Sequence, residues 1–291
     1  MARPRIALTV GDPAGIGPEI VRKTMAASRV LAACEPVPYG PADPDTFTAG
    51  RISAAAGAAA YEAIVRAVQD AQAGRVDAIA TAPISKEAFA LARLPWRGHT
   101  DLLAHLTATE FVAMMFEAPA LRVVLATVHV ALSEVPSLIT QDRVERTIRL
   151  AFAELPRFGV ERPRIAVAGL NPHAGEHGLM GPEDDEEIAP AVEQCRAEGI
   201  PVSGPFPADT LFLRASRGEF DAVVACYHDQ GLIPVKLLAF GESVNVTLGL
   251  PIIRTSVDHG TAFDIAGRGV ADAGSMIRAV CLAADLARTR R

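Results

Sequence analysis

Lysine is scarce in this chain of 291 residues: only Lys23, Lys86 and Lys236 occur among its 28 basic residues. Arginine supplies the other positive charges, so Lys86 and Lys236, which lie beside other polar motif residues, are candidates for positions that need a compact, titratable ammonium group. The chain also has no basic excess, because its net charge is −6. Without such an excess a protein cannot neutralise a run of phosphates, so the composition argues against a nucleic-acid partner. A pocket for one anion remains open.

Paired cysteines and long apolar runs are absent as well. The four cysteines lie far apart and form no CxxC pair, which is typical of reduced and mostly buried thiols. No apolar run approaches the length of a membrane span. The first ten residues meet Gly11-Asp12-Pro13 too early for the apolar region of a secretory signal peptide. These absences predict a cytoplasmic protein that does not enter a membrane.

Familiar nucleotide-binding and hydrolase motifs are also missing. Gly15-Ile16-Gly17 follows a short apolar strand, but the third glycine of GxGxxG and the acidic residue expected about 20 positions later are not there. A Rossmann dinucleotide loop is therefore rejected. The chain has neither a P-loop nor a GxSxG elbow, so kinase and serine-hydrolase functions have no support.

Short apolar strands alternate with helical segments along the chain. This alternation predicts an α/β protein with a largely parallel sheet. The predicted strands cover 5–10, 36–39, 76–81, 122–127, 164–170 and 222–226, and the predicted helices cover 53–74, 141–155, 188–198 and 275–287. Asp209 is placed in a turn just before the strand at 222–226.

Three histidines follow predicted strands in the same way. His129, His173 and His228 each come one to three residues after a strand, and strand ends of a parallel sheet line one edge. Three imidazoles with open positions between them suit a catalytic divalent ion, with Zn²⁺ favoured and Mg²⁺, Co²⁺ or Mn²⁺ as alternatives. Any one of these histidines, taken alone, is better explained as a structural polar residue. Their shared placement makes a metal site an equal alternative.

The stretch from 222 to 260 also contains groups that bind anions. Lys236, Asn245 and Arg254 offer ammonium, amide and guanidinium donors, which suit a phosphorylated ligand. A metal ion beside such a pocket suits the oxidation of a hydroxyl group to a ketone, because the ion lowers the pKa of the alcohol and stabilises the developing negative charge.

Taken together, these segments resemble the 4-hydroxythreonine-4-phosphate dehydrogenases of pyridoxal phosphate synthesis, the PdxA family. Eight motifs occur in the family's order and cover most of the chain after Ser53 plus the first strand. They are GDPAGIGPE (11–19), TAPISK (81–86), GHTD (98–101), LATVH (125–129), GLNPHAGE (169–176), GPFPADTLF (204–212), YHDQGLIPVK (227–236) and VNVTLGLPIIRTSVDHGTAFDIAGRG (244–269).

The resemblance implies a two-domain α/β/α sandwich like that of isocitrate and isopropylmalate dehydrogenases, with residues 1–97 and 258–291 in one domain and 98–257 in the other. It also implies an NAD-dependent oxidation, with NADP left open, followed by decarboxylation to 3-amino-2-oxopropyl phosphate. The family is a homodimer whose subunits share the active site. The implied metal ligands are His129, His173 and His228; the implied substrate ligands are His99, Thr100, Lys236, Asn245 and Arg254; and Lys86, Asp209 and Asp229 are candidates for proton transfer.

The sequence leaves other functions open. Related enzymes oxidise 4-phospho-D-threonate, 4-phospho-D-erythronate or the cis-dihydrodiols of aromatic degradation, and the dihydrodiol substrates have no phosphate. The presence of Thr100, Lys236, Asn245 and Arg254 favours a phosphorylated substrate. Between the first helix and Arg51 the chain is shorter than the family pattern, so a binding module without catalysis is the remaining alternative.

Overall fold

The computed structural model describes residues 3–43 and 46–289 and divides the chain into two compact units. The discontinuous unit comprises Met1–Val112 and Val244–Arg291, and the central unit comprises Ala113–Ser243. The sequence predicts domain boundaries at 97/98 and 257/258. Residues 1–2, 44–45 and 290–291 of the predicted N- and C-terminal domain lie outside the described residues. With the observed bounds, the predicted substrate ligands other than Lys236 belong to the discontinuous unit.

Ten strands occur within the described residues, and most of them pair in parallel. In the discontinuous unit their order is β2-β1-β3-β10-β9, with only the β10–β9 pair antiparallel; in the central unit it is β4-β5-β8-β6-β7, with β4 antiparallel to β5. The strands are β1 (Arg5–Thr9), β2 (Glu35–Tyr39), β3 (Ala78–Thr81), β4 (Ala113–Ala118), β5 (Leu121–Leu125), β6 (Ile165–Ala168), β7 (Val202–Phe206), β8 (Ala222–Ala225), β9 (Val244–Leu248) and β10 (Arg254–Ser256).

Helices connect these strands. Ser53 begins the longest one as predicted, since its hydroxyl accepts a hydrogen bond from the Ala56 N–H at 3.1 Å. The helices are α1 (Gly17–Ala26), α2 (Ser28–Ala33), α3 (Ala54–Gln72), α4 (Lys86–Leu91), α5 (His99–Leu106), α6 (Val135–Leu138), α7 (Gln141–Glu154), α8 (Ala189–Ala197), α9 (Ala208–Ser216), α10 (His228–Ala239) and α11 (Gly274–Thr289).

Helices cover both faces of the sheet in the discontinuous unit. Ile79 of β3 packs in one apolar cluster with residues of α3 and α5. Thr255 of β10 points to the opposite face, where its hydroxyl donates to the Ala279 carbonyl of α11 at 2.9 Å. Each fully buried aliphatic side chain in such a layer contributes about 1.5–3 kcal/mol. The α3–sheet–α11 arrangement is the predicted sandwich.

The sheet of the central unit has an equivalent apolar core. Val123 and Leu125 of β5 and Val223 of β8 lie in one cluster with buried residues of α9 and α10. Helix α7 packs against the same two strands, β5 and β8. Because β5, β8 and β6 run in parallel, their carboxyl ends lie along one edge.

Two local predictions differ from the structure. Asp209 lies in the first turn of α9 rather than in a turn before β8, because an acidic side chain stabilises a helix N-terminus. The segment after His228, for which the sequence predicts no helix, forms α10 although it contains Pro234.

Two of the predicted absences can be examined in the described part of the chain. No helix there is long and apolar enough to cross a membrane. All four cysteines are unpaired and buried, and burial raises the pKa of their thiols, to about 11 for Cys34 and Cys195. Such thiols are protonated at neutral pH and are poor nucleophiles.

Candidate active site

Among the described residues of the discontinuous unit, Arg254 is the most deeply buried cation. Its residue is 2% exposed, and none of the described carboxylates forms an ion pair with it. Its two terminal nitrogens donate to neutral hydroxyl groups, at 3.0 Å to Thr247 Oγ1 and at 2.7 Å to Thr81 Oγ1, while its Nε is buried without a partner. Burial lowers the pKa of Arg254 to about 9, so the side chain is still charged at neutral pH. A buried guanidinium without a counter-charge can bind an anion.

The strand register brings polar side chains to the same face as Arg254. Arg254 of β10 pairs with Ile79 of β3, and Ser256 pairs with Thr81 and with Asn245 of β9. Successive strand residues alternate between faces, so Thr81, Asn245, Thr247 and Arg254 share one face. The Oδ1 atom of Asn245 is also buried without a hydrogen-bond partner.

His99 begins α5, and its environment keeps it neutral. Asp101 fixes this helix start by accepting the Gly98 N–H at 2.8 Å. The Nε2 atom of His99 is buried without a partner, and desolvation together with the charge of Arg254 holds the pKa of His99 well below its usual range. Three of the predicted substrate ligands, His99, Asn245 and Arg254, thus each have a buried polar atom without a partner, as expected where a ligand supplies the partner.

The strand-end histidines lie at one edge of the central unit. His129 follows β5 and His228 begins α10 directly after β8, and their ring centroids are 5.4 Å apart. His228 Nδ1 lies 2.7 Å from Asp229 Oδ1, so a carboxylate is available to orient this imidazole. Two imidazoles on one tetrahedral zinc ion would have centroids about 5 Å apart. The His129–His228 pair fits a shared metal ion.

His173 is held in a different way. It lies in an exposed turn after β6 and has a φ of 54°. Nearby Ala174, Glu176 and His177 also have positive φ values. The described residues of one chain contain no group of three His, Cys, Asp or Glu side chains that could hold a metal ion. A complete donor set therefore needs a ligand beyond the His129–His228 pair, and its assignment to His173 stays a prediction.

Two buried polar residues position this edge, and the sequence predicts a role for neither. Asp184 is fully buried and accepts the N–H groups of Leu170 and Asn171 at 2.8 and 3.0 Å. Gln230 accepts the Cys226 N–H and donates to the Gly169 carbonyl, both at 2.7 Å, so it joins the ends of β8 and β6. Gln230 lies within the YHDQ segment, and this motif is the sequence signal that could have identified it. Asp184 lies in an acidic run that resembles an ordinary surface segment.

The remaining predicted residues are more exposed. Lys86 is the exposed first residue of α4, and Asp209 is exposed on α9. Thr100 and Lys236 are partly buried on α5 and α10. Asp229 contacts His228, but nothing in the geometry distinguishes Lys86 or Asp209 as an acid or base.

Comparison with known proteins identifies close relatives over nearly the whole chain. The chain is 46% identical to a 4-hydroxythreonine-4-phosphate dehydrogenase of Desulforapulum autotrophicum, with 97% of this chain and 95% of the relative covered. It is 45% identical to a D-threonate 4-phosphate dehydrogenase of Cupriavidus necator, with 99% and 98% covered. The first alignment spans 323 positions, more than the length of this chain, so the relative has residues that this chain lacks.

Solved structures show the same likeness. The crystal structure of 4-hydroxythreonine-4-phosphate dehydrogenase from Klebsiella pneumoniae matches with a TM-score of 0.89 and 43% identity over 98% of each chain. Isocitrate dehydrogenase from Methylococcus capsulatus matches with a TM-score of 0.54 and 19% identity over 99% of this chain and 88% of that one, which confirms the predicted fold class. The family model for the pyridoxal phosphate biosynthetic protein PdxA matches residues 18–283. The chain therefore belongs to the PdxA family.

Proposed function

We propose that this protein is a metal- and NAD-dependent dehydrogenase of 4-hydroxythreonine 4-phosphate. The reaction oxidises the C3 hydroxyl to a ketone, with the hydride passing to NAD, and the resulting β-keto acid loses its carboxylate to give 3-amino-2-oxopropyl phosphate. NADP is the alternative cofactor. The observation that carries the proposal is the buried, uncompensated charge of Arg254, in a chain whose named relatives are dehydrogenases of phosphorylated acids.

The phosphate group is the part of the substrate that the discontinuous unit is suited to bind. The Arg254 guanidinium retains an Nε–H donor for it, and a dianion would supply the missing counter-charge. Neutral His99 and the amide of Asn245 offer uncharged polar atoms to the same ligand. Thr100 and Lys236 complete the proposed substrate ligands.

The divalent ion is proposed to bind His129, His173 and His228. When bound, the metal would lower the pKa of the substrate hydroxyl and stabilise the negative charge that develops on its oxygen. Asp229 accepts a hydrogen bond from the ring of His228 and thereby fixes which nitrogen faces the metal. Lys86, Asp209 and Asp229 are the proposed carriers of the hydroxyl proton.

The proposed active enzyme is a homodimer with shared active sites. Helix α10, which begins at His228 and carries Lys236, exposes large apolar side chains that water solvates poorly. The apolar residues exposed on or just after this helix are Ile233, Leu237, Leu238 and Phe240. A second copy of the chain, resting on α10, is the proposed partner, and the reaction is proposed to take place in the cytoplasm.

Oxidation of D-threonate 4-phosphate is the second candidate function. The relatives named as dehydrogenases of 4-hydroxythreonine 4-phosphate and of D-threonate 4-phosphate are 46% and 45% identical to this chain. Sequence identity therefore does not distinguish between the two substrates. Both substrates carry a C4 phosphate and a C3 hydroxyl, and they differ in having an amino or a hydroxyl group at C2. The related 4-phospho-D-erythronate is a further alternative. The cis-dihydrodiols have no phosphate for Arg254. An anion- or metal-binding module without turnover is the least favoured alternative.

The proposal is tested by Arg254→Met, which keeps much of the side-chain volume and removes the charge. We expect KM for the phosphorylated substrate to rise about 10- to 100-fold, because a charge-assisted hydrogen bond is worth about 1.5–3 kcal/mol. Arg97→Met, at an exposed arginine of the same unit, is the control and should leave KM unchanged. Equal KM values for Arg254→Met and wild type would refute phosphate binding by Arg254.

A further inference from the structure

Arg254 is held between two threonine hydroxyl groups from the strands on either side of it. Thr81 lies on β3 and Thr247 on β9, and the sheet places β10 between these strands. Each hydroxyl accepts one terminal N–H of the guanidinium, at 2.7 and 3.0 Å. The planar guanidinium group, here called the Arg254 fork, is therefore fixed through both of its terminal nitrogens by the two neighbouring strands.

The two hydroxyl groups fix the fork without neutralising it. Thr81 is 0% exposed and Thr247 is 4% exposed. Within the described residues, Arg254 is the hydrogen-bond partner of each of these hydroxyl groups. A hydroxyl oxygen that accepts a hydrogen bond still has its own hydrogen to donate. A carboxylate in either place would pair with the guanidinium and repel an incoming dianion. Threonine leaves both the positive charge and two additional donors available.

We propose that Thr81 and Thr247 are positioning residues of the phosphate site, holding the Arg254 fork and offering their hydroxyl hydrogens to a dianionic phosphate. This inference rests on the proposed function of Arg254. All the groups that it brings together are donors, so the arrangement favours a fully ionised phosphate group, which only accepts hydrogen bonds, over a ligand of similar size that must also donate.

Thr81→Val and Thr247→Val test the inference, because valine keeps the branched shape and removes only the hydroxyl. We measure the Kd of inorganic phosphate by calorimetry, and KM and kcat for the phosphorylated substrate. Each variant is expected to weaken phosphate binding and raise KM about tenfold, with kcat within about twofold of wild type. Thr→Ser at the same positions should restore both values.

Thr255→Val is the matched control. Thr255 is a buried threonine of the same strand as Arg254, but its hydroxyl donates to the Ala279 carbonyl on the other face of the sheet. This variant removes one buried hydroxyl and should leave phosphate binding unchanged. A general effect of losing a buried hydroxyl would appear in Thr255→Val as well.

The outcomes separate this inference from the function on which it rests. Wild-type protein that binds no inorganic phosphate would overturn the assignment of Arg254, and the inference with it. Valine variants that bind phosphate as tightly as wild type would overturn the inference alone. If a valine variant does not fold, Thr→Ser and Thr→Ala are compared instead, since they differ only by the hydroxyl; equal Kd values for that pair would likewise refute the inference.

Discussion

The buried guanidinium of Arg254 and the partly buried imidazole of His99 influence each other in the discontinuous unit. His99 is kept neutral first by desolvation and then by the charge of Arg254, both of which lower its pKa. A neutral imidazole beside a guanidinium adds no second positive charge to the proposed phosphate site. When a phosphate dianion binds, it favours the protonated form of any neighbouring imidazole. The environment of His99 therefore makes its protonation sensitive to the ligand.

The lowered pKa of His99 predicts a pH dependence of stability. The unfolded chain binds this proton near pH 6.5 and the folded chain only at lower pH, so stability is retained above pH 6.5 and is lost as the pH falls below it. His99→Gln removes this titration. In urea unfolding at pH 7.5 and pH 5, we expect the variant to lose less stability on acidification than wild type does. His105→Gln, at an exposed histidine of α5, is the control. Equal losses for His99→Gln and wild type would contradict this account.

At the scale of single elements, the turn that carries His173 depends on a buried carboxylate. Four non-glycine residues with positive φ cluster at 173–177, a conformation that costs free energy and requires support from its surroundings. Asp184 provides that support by accepting the backbone N–H groups of Leu170 and Asn171 and the Asn171 side-chain amide. The position of His173 thus depends on Asp184, which lies eleven residues further along the chain.

Asp184→Asn should loosen this turn, because the amide cannot replace a charged acceptor of three N–H donors. We expect faster hydrogen exchange at the Leu170 and Asn171 amides and about 10- to 100-fold weaker metal binding, as for other residues that orient metal ligands. Metal affinity is measured by calorimetry on the metal-free protein. Asp185→Asn changes the exposed neighbour and should alter neither quantity. Wild-type exchange rates in Asp184→Asn would refute this role.

The sequence predicts the elements with strong apolar runs better than the others. The strands at 5–9, 78–81, 121–125, 165–168 and 222–225 and the four predicted helices are present within a few residues of their predicted limits. Strand β10 has only three residues and α10 contains a proline, so neither has the pattern that identifies its class. Those two elements carry Arg254 and His228.

The contacts around the site are less predictable than the elements. The motifs and strand ends indicate His129, His228 and Arg254, because these residue types are uncommon in such places. They do not indicate Thr81 as a partner of Arg254, since the two are 173 positions apart and threonine is an ordinary strand residue. Which residues pair depends on the order and register of the strands, and these are properties of the folded sheet.

At the scale of the whole molecule, α10 links the apolar surface to the histidine edge. Leu237 and Phe240 are each 83% exposed, which is unusual for large apolar side chains so close together. A second copy that covers this face would bury them and would lie next to the helix that begins at His228.

Leu237→Glu should disrupt the proposed dimer, because association would bury an unpaired carboxylate. We expect light scattering to give the dimer mass for wild type and the monomer mass for Leu237→Glu at micromolar concentration. Leu31→Glu, at an exposed leucine of α2, should remain dimeric. A monomeric wild-type protein, or a Leu237→Glu variant of unchanged mass, would contradict the proposed interface.

The most direct test of the central claim is NADH absorbance with purified protein, with and without a chelator. The substrates are 4-hydroxythreonine 4-phosphate, D-threonate 4-phosphate, 4-phospho-D-erythronate and a carboxylated cis-dihydrodiol, each supplied with NAD or NADP. We predict turnover of a phosphorylated substrate. The chelator should abolish this turnover, added metal should restore it, and His228→Ala should lack it. Turnover that persists in the chelator, or turnover of the dihydrodiol alone, would contradict it.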